Sequence, residues 1–115
     1  GEADVLKLAT GVSSEIHARF LIQQLRMLAR HVPESDPVAE LLAFDVSIAA
    51  RTRAGRLWVA LPVDHLSWTE TVESATARHN AAAPRLVVAG SVSPLARREL
   101  ARSGWRLSAG VGRAD

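Results

Sequence analysis

Apolar positions near the C-terminus first form an unbroken run and then recur with the period of a helix. The run at 86–89 is typical of a strand that is buried on both faces. Ser93 followed by Pro94 signals the start of a helix, and Gly104 is the residue type that commonly follows a helix end. A second apolar segment covers 105–109. This order predicts a βαβ unit, which places the chain in the α/β class.

Residues 14–31 repeat apolar side chains with a helical period and carry them in two sets. Ser13 is the predicted N-cap of this helix. The larger set predicts the face that packs on the sheet, and its members are Ala18, Leu21, Ile22, Leu25, Leu28, Ala29 and Val32. The smaller set lies beyond a stripe of Arg and Gln side chains, and its members are Ile16, Phe20 and Met27. Because one face is enough to cover a sheet, the smaller set predicts contact with a neighbouring helix or another subunit.

Two shorter patterns flank this helix. Residues 4–9 predict a short strand. Asp36 and Pro37 have the residue types of an N-cap and a first helical position. They predict a short helix that ends near Leu42.

Two strands with a turn between them are predicted in the middle of the chain. Residues 44–49 alternate apolar and polar side chains, as a half-buried strand does. Residues 57–61 form a second apolar segment, and the polar link at 51–56 contains Gly55. The pattern predicts an antiparallel hairpin.

A third main helix is predicted from Ser67 to about His79, because Ser67 and Glu70 have the spacing of a capping box. The expected fold is therefore a single α/β domain over residues 1–115. It has a mixed, twisted sheet of four or five strands, built from the hairpin and the C-terminal βαβ unit and packed by three main helices. Residues 110–115 are expected to fray. Whether the domain is a fragment of a larger protein stays open.

Charge and composition narrow the chemistry. The chain has 115 residues and no cysteine, which excludes disulfides, thiolate metal sites and a cysteine nucleophile. The sequence contains no run of roughly 18 apolar residues, so no membrane-spanning helix is predicted. The net charge is +2, with −3 on residues 1–50 and +5 on 51–115. We expect a soluble protein and favour the cytoplasm, with the compartment left open. Thirteen arginines against one lysine favour a GC-rich, bacterial genome.

Two strand-to-helix turns are candidate anion or ligand sites. Small residues at the start of a helix can present backbone N–H groups to a phosphate or carboxylate. The candidates are Thr10, Gly11 and Ser13 in the first turn and Gly90, Ser91 and Ser93 in the second. Neither turn has a complete glycine-rich phosphate motif, so ordinary helix capping is the competing interpretation.

Residue types that could support catalysis do not form a recognisable set. Asp64, His65 and Ser67 are nearly adjacent, whereas catalytic triads are assembled from separate loops. The four histidines are scattered along the chain. We therefore predict no catalytic residue, no metal site and no cofactor.

Basic side chains are concentrated in two places. Arg51, Arg53 and Arg56 lie at the predicted hairpin tip, and Arg98 and Arg102 lie on the outer side of the C-terminal helix. If they share one face, they would suit nucleic acid, whose backbone attracts arginine. A solvated surface is the competing interpretation.

The preferred hypothesis is a non-catalytic protein-interaction or regulatory domain, because none of the candidate catalytic sets is convincing. In one form, the domain associates with itself through Ile16, Phe20 and Met27. A protein partner or a homo-oligomer is expected. The alternatives are nucleic-acid binding through the arginines, and a small phosphate-ligand enzyme or sensor at the two turns.

Overall fold

The computed structural model describes residues 12–44, 47–78 and 84–112. The elements in these ranges are α1 (Val12–His31), β1 (Val38–Phe44), β2 (Ser47–Thr52), β3 (Leu57–Leu61), β4 (His65–Leu66), α2 (Glu70–Arg78), β5 (Arg85–Val88), β6 (Ser91–Val92), α3 (Pro94–Arg102) and β7 (Arg106–Ser108). The predicted strand at 4–9 lies outside the described residues.

Five of these strands form one mixed sheet in the order β1-β2-β3-β5-β7. The pairs β1–β2 and β2–β3 are antiparallel, whereas β3–β5 and β5–β7 are parallel. Strands β4 and β6 form a separate two-stranded parallel sheet, which the sequence did not predict. The predicted α/β class, with an antiparallel hairpin beside a βαβ unit, is confirmed.

The two faces of the main sheet are covered by different helices. On one face, α1 lies over β2 and β3, and its Met27 and Leu28 share a buried cluster with Ala50 and Trp58. On the other face, α3 buries Ala96 and Leu100 against side chains of the parallel strands. The sheet is therefore the middle layer between α1 and α3.

The C-terminal βαβ unit has the predicted local structure. The Ser93 hydroxyl accepts a hydrogen bond from the Ala96 amide (3.1 Å), and Pro94 is the first helical residue. Gly104 has a φ of +85°, so it follows the end of α3 in the left-handed conformation that favours glycine. The Trp105 amide then donates to the Leu100 carbonyl (2.9 Å). These short-range signals were sufficient because each is satisfied within a few residues.

Residues 38–44 form a strand, so the predicted short helix ending near Leu42 is wrong. Asp36 does not cap a helix there. Its carboxylate accepts hydrogen bonds from the Thr52 hydroxyl (2.6 Å) and the Ala54 amide (2.9 Å), which join it to the end of the β2–β3 hairpin. The chain leaving Asp36 is thereby directed along β2, and the ladder with β2 replaces helical hydrogen bonds.

Helix α2 begins at Glu70 and is capped by Thr69, whose hydroxyl accepts a hydrogen bond from the Val72 amide (3.2 Å). Ser67 was the predicted cap. It lies instead in the connection that follows β4, where Leu66 is held by pairing with β6. The tertiary pairing thus delays the start of the helix by two residues.

Helix α1 begins at Val12, so Ser13 lies inside its first turn and is not the predicted N-cap. The buried side of α1 also differs from the predicted face. It contains Gln24 and Met27, both fully buried, beside Leu21 and Leu28.

A polar anchor explains this rotation of α1. Gln24 donates to the Ser47 hydroxyl (2.7 Å) and the Ala60 carbonyl (2.9 Å) and accepts from the Ile48 amide (3.2 Å). The small side chains of Ala50 and Ala60 lie beneath the helix and are themselves fully buried. Consequently, Ile22 and Leu25 of the predicted inner face remain exposed.

The segment after β7 is bonded to the body of the domain as far as Gly112. The Gly110 amide donates to the Gly90 carbonyl (2.8 Å), and the Gly112 amide donates to that of Ala89 (3.0 Å). Val111 packs against the α1-side cluster. Residues 110–112 thus partly bury an apolar side chain and satisfy backbone groups, and the fraying of residues 110–115 stays a prediction. Residues 113–115 lie outside the described part.

Candidate functional site

Strand β1 is one edge of the main sheet, and it exposes apolar side chains there. It pairs with β2 on one side, and within the described residues no strand lies on its other side. Leu41 is opposite Ala50, which belongs to the α1-side cluster, so Leu41 is on the face of the sheet that α1 covers. Val38, opposite Thr52, is on the same face. This edge of the sheet extends beyond the cover that α1 provides.

The flank of α1 nearest β1 is also apolar. Gln24 anchors the middle of α1 near the start of β2 and the end of β3, and Asp36, after α1, is bonded to Thr52 at the end of β2. The helix therefore runs in the direction of β2. Since parallel crossovers such as β5–α3–β7 are right-handed, this direction turns Leu25 toward β1, and Ile22 lies between Leu25 and the solvent-facing Arg26.

These four side chains, Ile22, Leu25, Val38 and Leu41, define what we call the α1–β1 face. Each is between 40% and 53% exposed. They come from α1 and β1, and the two on β1 lie on the face of the sheet that α1 covers. A single exposed apolar residue is ordinary, whereas several on one side of a domain suit an interaction surface.

The predicted self-association set is divided by the structure. Ile16, 66% exposed, and Phe20 line an open groove of about 260 Å³ with Arg19, Gln23 and Pro62. Met27 is fully buried on the side of α1 that packs against the sheet. The prediction that Met27 belongs to a partner surface is wrong, because the buried Gln24 anchor turns Met27 into the core.

The turn containing Gly90, Ser91 and Ser93 uses its amides within the fold. The amides of these residues donate to the carbonyls of Val63 (2.8 Å), Asp64 (2.9 Å) and Leu66 (2.9 Å), respectively. An anion bound by these three amides would have to displace those carbonyls. The geometry therefore supports a structural role for the turn, and ligand binding there remains a prediction.

Ser91 also meets a histidine that lies distant in sequence. Its hydroxyl is 2.6 Å from Nδ1 of His65, and both side chains are exposed. The pair joins β4 to β6 beyond their backbone ladder. Such a pair could exchange a proton, but the nearby amides of Gly90 and Ser91 are already bonded and would not stabilise an oxyanion. The contact between the two side chains connects the two strands.

The other predicted anion turn lies mostly outside the described residues. This applies to Thr10 and Gly11 and to the side chain of Ser13. The pairing of the two turns therefore stays a prediction.

Two of the candidate arginines, Arg53 and Arg102, lie at one end of the sheet, and Arg106 lies at the same end. The β2–β3 turn carries Arg53 and leads into the start of β3, and β5 and β7 run parallel to β3, so all three strands begin at that end. Arg102 ends α3 at the same end, and Arg106 begins β7. We call Arg53, Arg102 and Arg106, all exposed, the basic end.

Several of the candidate arginines are held by carboxylates. Arg51 pairs with Glu40 (2.6 Å), Arg56 with Asp36 (3.4 Å) and Arg102 with Glu99 (3.4 Å). The predicted candidate Arg98 is exposed on α3. The pairs of Arg51 and Arg102 are exposed and therefore weak, so they reduce local charge more than they restrain the side chains, whereas Asp36, the partner of Arg56, is buried.

Asp36 is a carboxylate whose pKa is shifted from its ordinary value. The Thr52 hydroxyl is the main cause that lowers the pKa of Asp36; burial opposes it, and the Ala54 amide and Arg56 add to the lowering. Every partner belongs to the hairpin end, so the shift reflects a structural clasp. No group of three or more potential ligand residues in the described part could hold a metal ion.

Comparisons with known proteins add no identification. The chain matches no family model, and neither the curated proteins nor the solved structures contain a significant match. Among the described helices, none is both long and apolar enough to cross a membrane.

The sequence pattern did not predict the α1–β1 face, for two reasons. Residues 38–42 were assigned to a helix, and Ile22 and Leu25 were assigned to the core. One signal was available in the sequence: Gln24 lies between these apolar residues and is polar. It could have indicated a buried polar anchor, but the groups that it bonds, on Ser47, Ile48 and Ala60, are distant along the chain.

Proposed function

We propose that this chain is a non-catalytic protein-interaction domain and that its contact surface is the α1–β1 face. The observation that carries the proposal is the grouping of Ile22, Leu25, Val38 and Leu41, which stay exposed although the two core clusters are filled by other side chains. Leaving such side chains in water forgoes roughly 25 cal/mol for each Å² of apolar surface that a partner could cover.

The surroundings of this face have the composition of an interface rim. Arg26 and Arg30 are exposed on the side of α1 that faces solvent, whereas the Glu40–Arg51 ion pair lies on the opposite face of the sheet. Interfaces commonly combine an apolar centre with a polar, hydrated rim that includes arginine. The face therefore suits a partner with an apolar contact strip.

Site-specific photo-crosslinking tests this proposal in cells that make the protein. A photoreactive phenylalanine analogue is placed at Ile22, at Leu41 or, as the control, at Leu95, which is 46% exposed on α3. We expect discrete adducts from positions 22 and 41 and none from 95, because α3 lies on the opposite face. Equal labelling at all three positions, or no adduct at 22 and 41, would contradict the proposal.

A second candidate function is nucleic-acid binding at the basic end. It is favoured by the fold placing Arg53, Arg102 and Arg106 at one end of the sheet, although they are distant in sequence. Arginines grouped in this way can contact successive phosphates.

Fluorescence anisotropy with mixed DNA and RNA oligonucleotides tests this candidate. Binding should weaken as salt rises, with a slope of about 0.9 in log K against log salt for each phosphate contact. Replacing Arg53 and Arg106 by alanine should lower that slope, whereas Arg19→Ala on α1 should leave it unchanged. Absence of binding at low salt would eliminate this function.

A further inference from the structure

We propose that the occupant of the β1 edge is a second copy of this chain, whose own β1 pairs with it in antiparallel fashion. This inference rests on the proposed interaction function and names its partner. The two sheets would join into one continuous sheet through a two-fold axis perpendicular to it. Such an interface is isologous, meaning that both copies use the same surface.

The backbone of β1 selects the kind of partner. An edge strand presents a row of N–H and C=O groups on its unpaired side, and another extended strand satisfies that row most completely. A helix has no free backbone groups along its length with which to do so. The occupant should therefore contribute a strand, and β1 itself is an extended strand that no other described strand pairs with on its outer side.

The sequence of β1 lacks the usual protection against such pairing. Sheet edges are commonly guarded by lysine, proline or bulges. Residues 38–44 contain neither lysine nor proline, and the irregularity in the β1–β2 register lies between Val38 and Glu40, at one end of the strand. The remaining residues 40–44 are in regular register with β2. They form a regular edge with which another strand could pair.

A register centred on Leu41 is compatible with the side chains. In a two-fold antiparallel pair, the central residue lies opposite its own counterpart, so Leu41 would contact Leu41 of the second copy. Glu40 would then lie opposite Leu42, and the two Glu40 carboxylates would not face each other. Glu40 is also held by Arg51 of β2 (2.6 Å), which balances the strand's lone charge. Like charges therefore do not oppose this register.

The same symmetry uses the apolar flank of α1. Because the axis is perpendicular to the sheet, both α1 helices lie on the same face, one on each side of the two β1 strands. Ile22 and Leu25 of each copy then border the central Leu41 pair. Backbone pairing alone is weak in water, since water satisfies the same groups, and these side chains supply the apolar burial that would stabilise the dimer.

Sedimentation of the full chain provides the first test. We expect the unmodified chain to form a dimer between low and high micromolar concentration. Leu41→Lys should shift the chain to monomer without lowering its melting temperature, because it places a charge on an exposed edge. The matched control Leu95→Lys should dimerise as the unmodified chain does. A chain that is monomeric throughout, or a Leu41→Lys variant that still dimerises, would overturn the proposal.

Disulfide trapping provides a second test, which reports the register. The chain has no cysteine, so Leu41→Cys introduces a lone thiol. If the two-fold axis passes between the two copies of residue 41, their Cα atoms lie within the roughly 4.4–6.8 Å that a disulfide spans. We expect rapid formation of a disulfide-linked dimer, and much slower formation for the control Leu95→Cys. Equal rates for the two variants would count against pairing through β1.

The failure of this proposal can be separated from that of the interaction function. If the chain is monomeric but crosslinks at 22 and 41 to a different protein, the self-pairing is wrong and the interaction function stands. If positions 22 and 41 give no adduct, the interaction function itself is wrong. If Phe20→Asp abolishes the dimer and Leu41→Lys does not, association occurs at the Ile16–Phe20 groove, which overturns pairing through β1.

Discussion

Replacement of Gly90 by alanine is expected to destabilise the domain by more than about 3 kcal/mol, at or beyond the upper end of ordinary overpacking costs. A Cβ atom at Gly90 would lie 1.9 Å from the carbonyl oxygen of Asp64 and 2.3 Å from its carbonyl carbon. These are backbone atoms, so no side-chain rotation can relieve the clash. Separating the two segments would break the hydrogen bonds from Gly90 to Val63 (2.8 Å) and from Ser91 to Asp64 (2.9 Å).

Denaturant unfolding would measure this loss against a matched glycine variant. Gly55 has a φ of +84°, and a Cβ there would meet nothing within 4 Å. Gly55→Ala should therefore cost only the conformational penalty of about 1–2 kcal/mol. If Gly90→Ala costs no more than Gly55→Ala, the close approach of the two loops is not a requirement of the fold.

Replacement of Gln24 by alanine is expected to cost about 3 kcal/mol or more, because it combines a cavity with unpaired buried groups. Gln24 is fully buried and serves the Ile48 amide (3.2 Å) and the Ala60 carbonyl (2.9 Å) as well as the Ser47 hydroxyl (2.7 Å). These contacts join α1 to two adjacent strands. Their loss should also weaken the orientation of α1 that exposes Ile22 and Leu25.

A set of variants separates the two contributions at Gln24. Gln24→Leu keeps most of the volume but removes the hydrogen bonds, and it should still cost about 1–3 kcal/mol for the buried groups left unpaired. Arg26→Ala, at an exposed position of the same helix, should change the free energy of unfolding by no more than about 0.5 kcal/mol. A Gln24→Leu variant as stable as the unmodified chain would show that the polar anchor does not determine how α1 packs.

The two residues also explain why the candidate sites changed between sequence and structure. At Gly90, small size was interpreted as access for an anion, whereas it permits the approach of the Asp64 carbonyl. Gln24 was assigned to neither face of α1 from the sequence, whereas its bonds to β2 and β3 bury it. In both cases the decisive atoms belong to segments that are distant along the chain.

Local sequence patterns were sufficient to predict those elements whose hydrogen bonds and turns involve only residues close in sequence. The cap at Ser93, the glycine after α3 at Gly104 and the turn at Gly55 all bond or bend within a few residues, and all were predicted. The apolar run at 86–89 was also sufficient to predict β5, because a strand that is buried on both faces has apolar side chains throughout. The α/β class followed from these elements.

The sequence by itself determined the class of the fold, the hairpin and the C-terminal βαβ unit, because short-range capping, turn and periodicity signals specify them. The tertiary structure alone decided that residues 38–44 are an edge strand, that Met27 is core, and that Ile22 and Leu25 are surface. Each of these outcomes depends on bonds between segments distant in the chain: Asp36 to Thr52, and Gln24 to Ser47, Ile48 and Ala60. Periodicity shows that a helix has an apolar side, but the partners that it meets decide which side is buried.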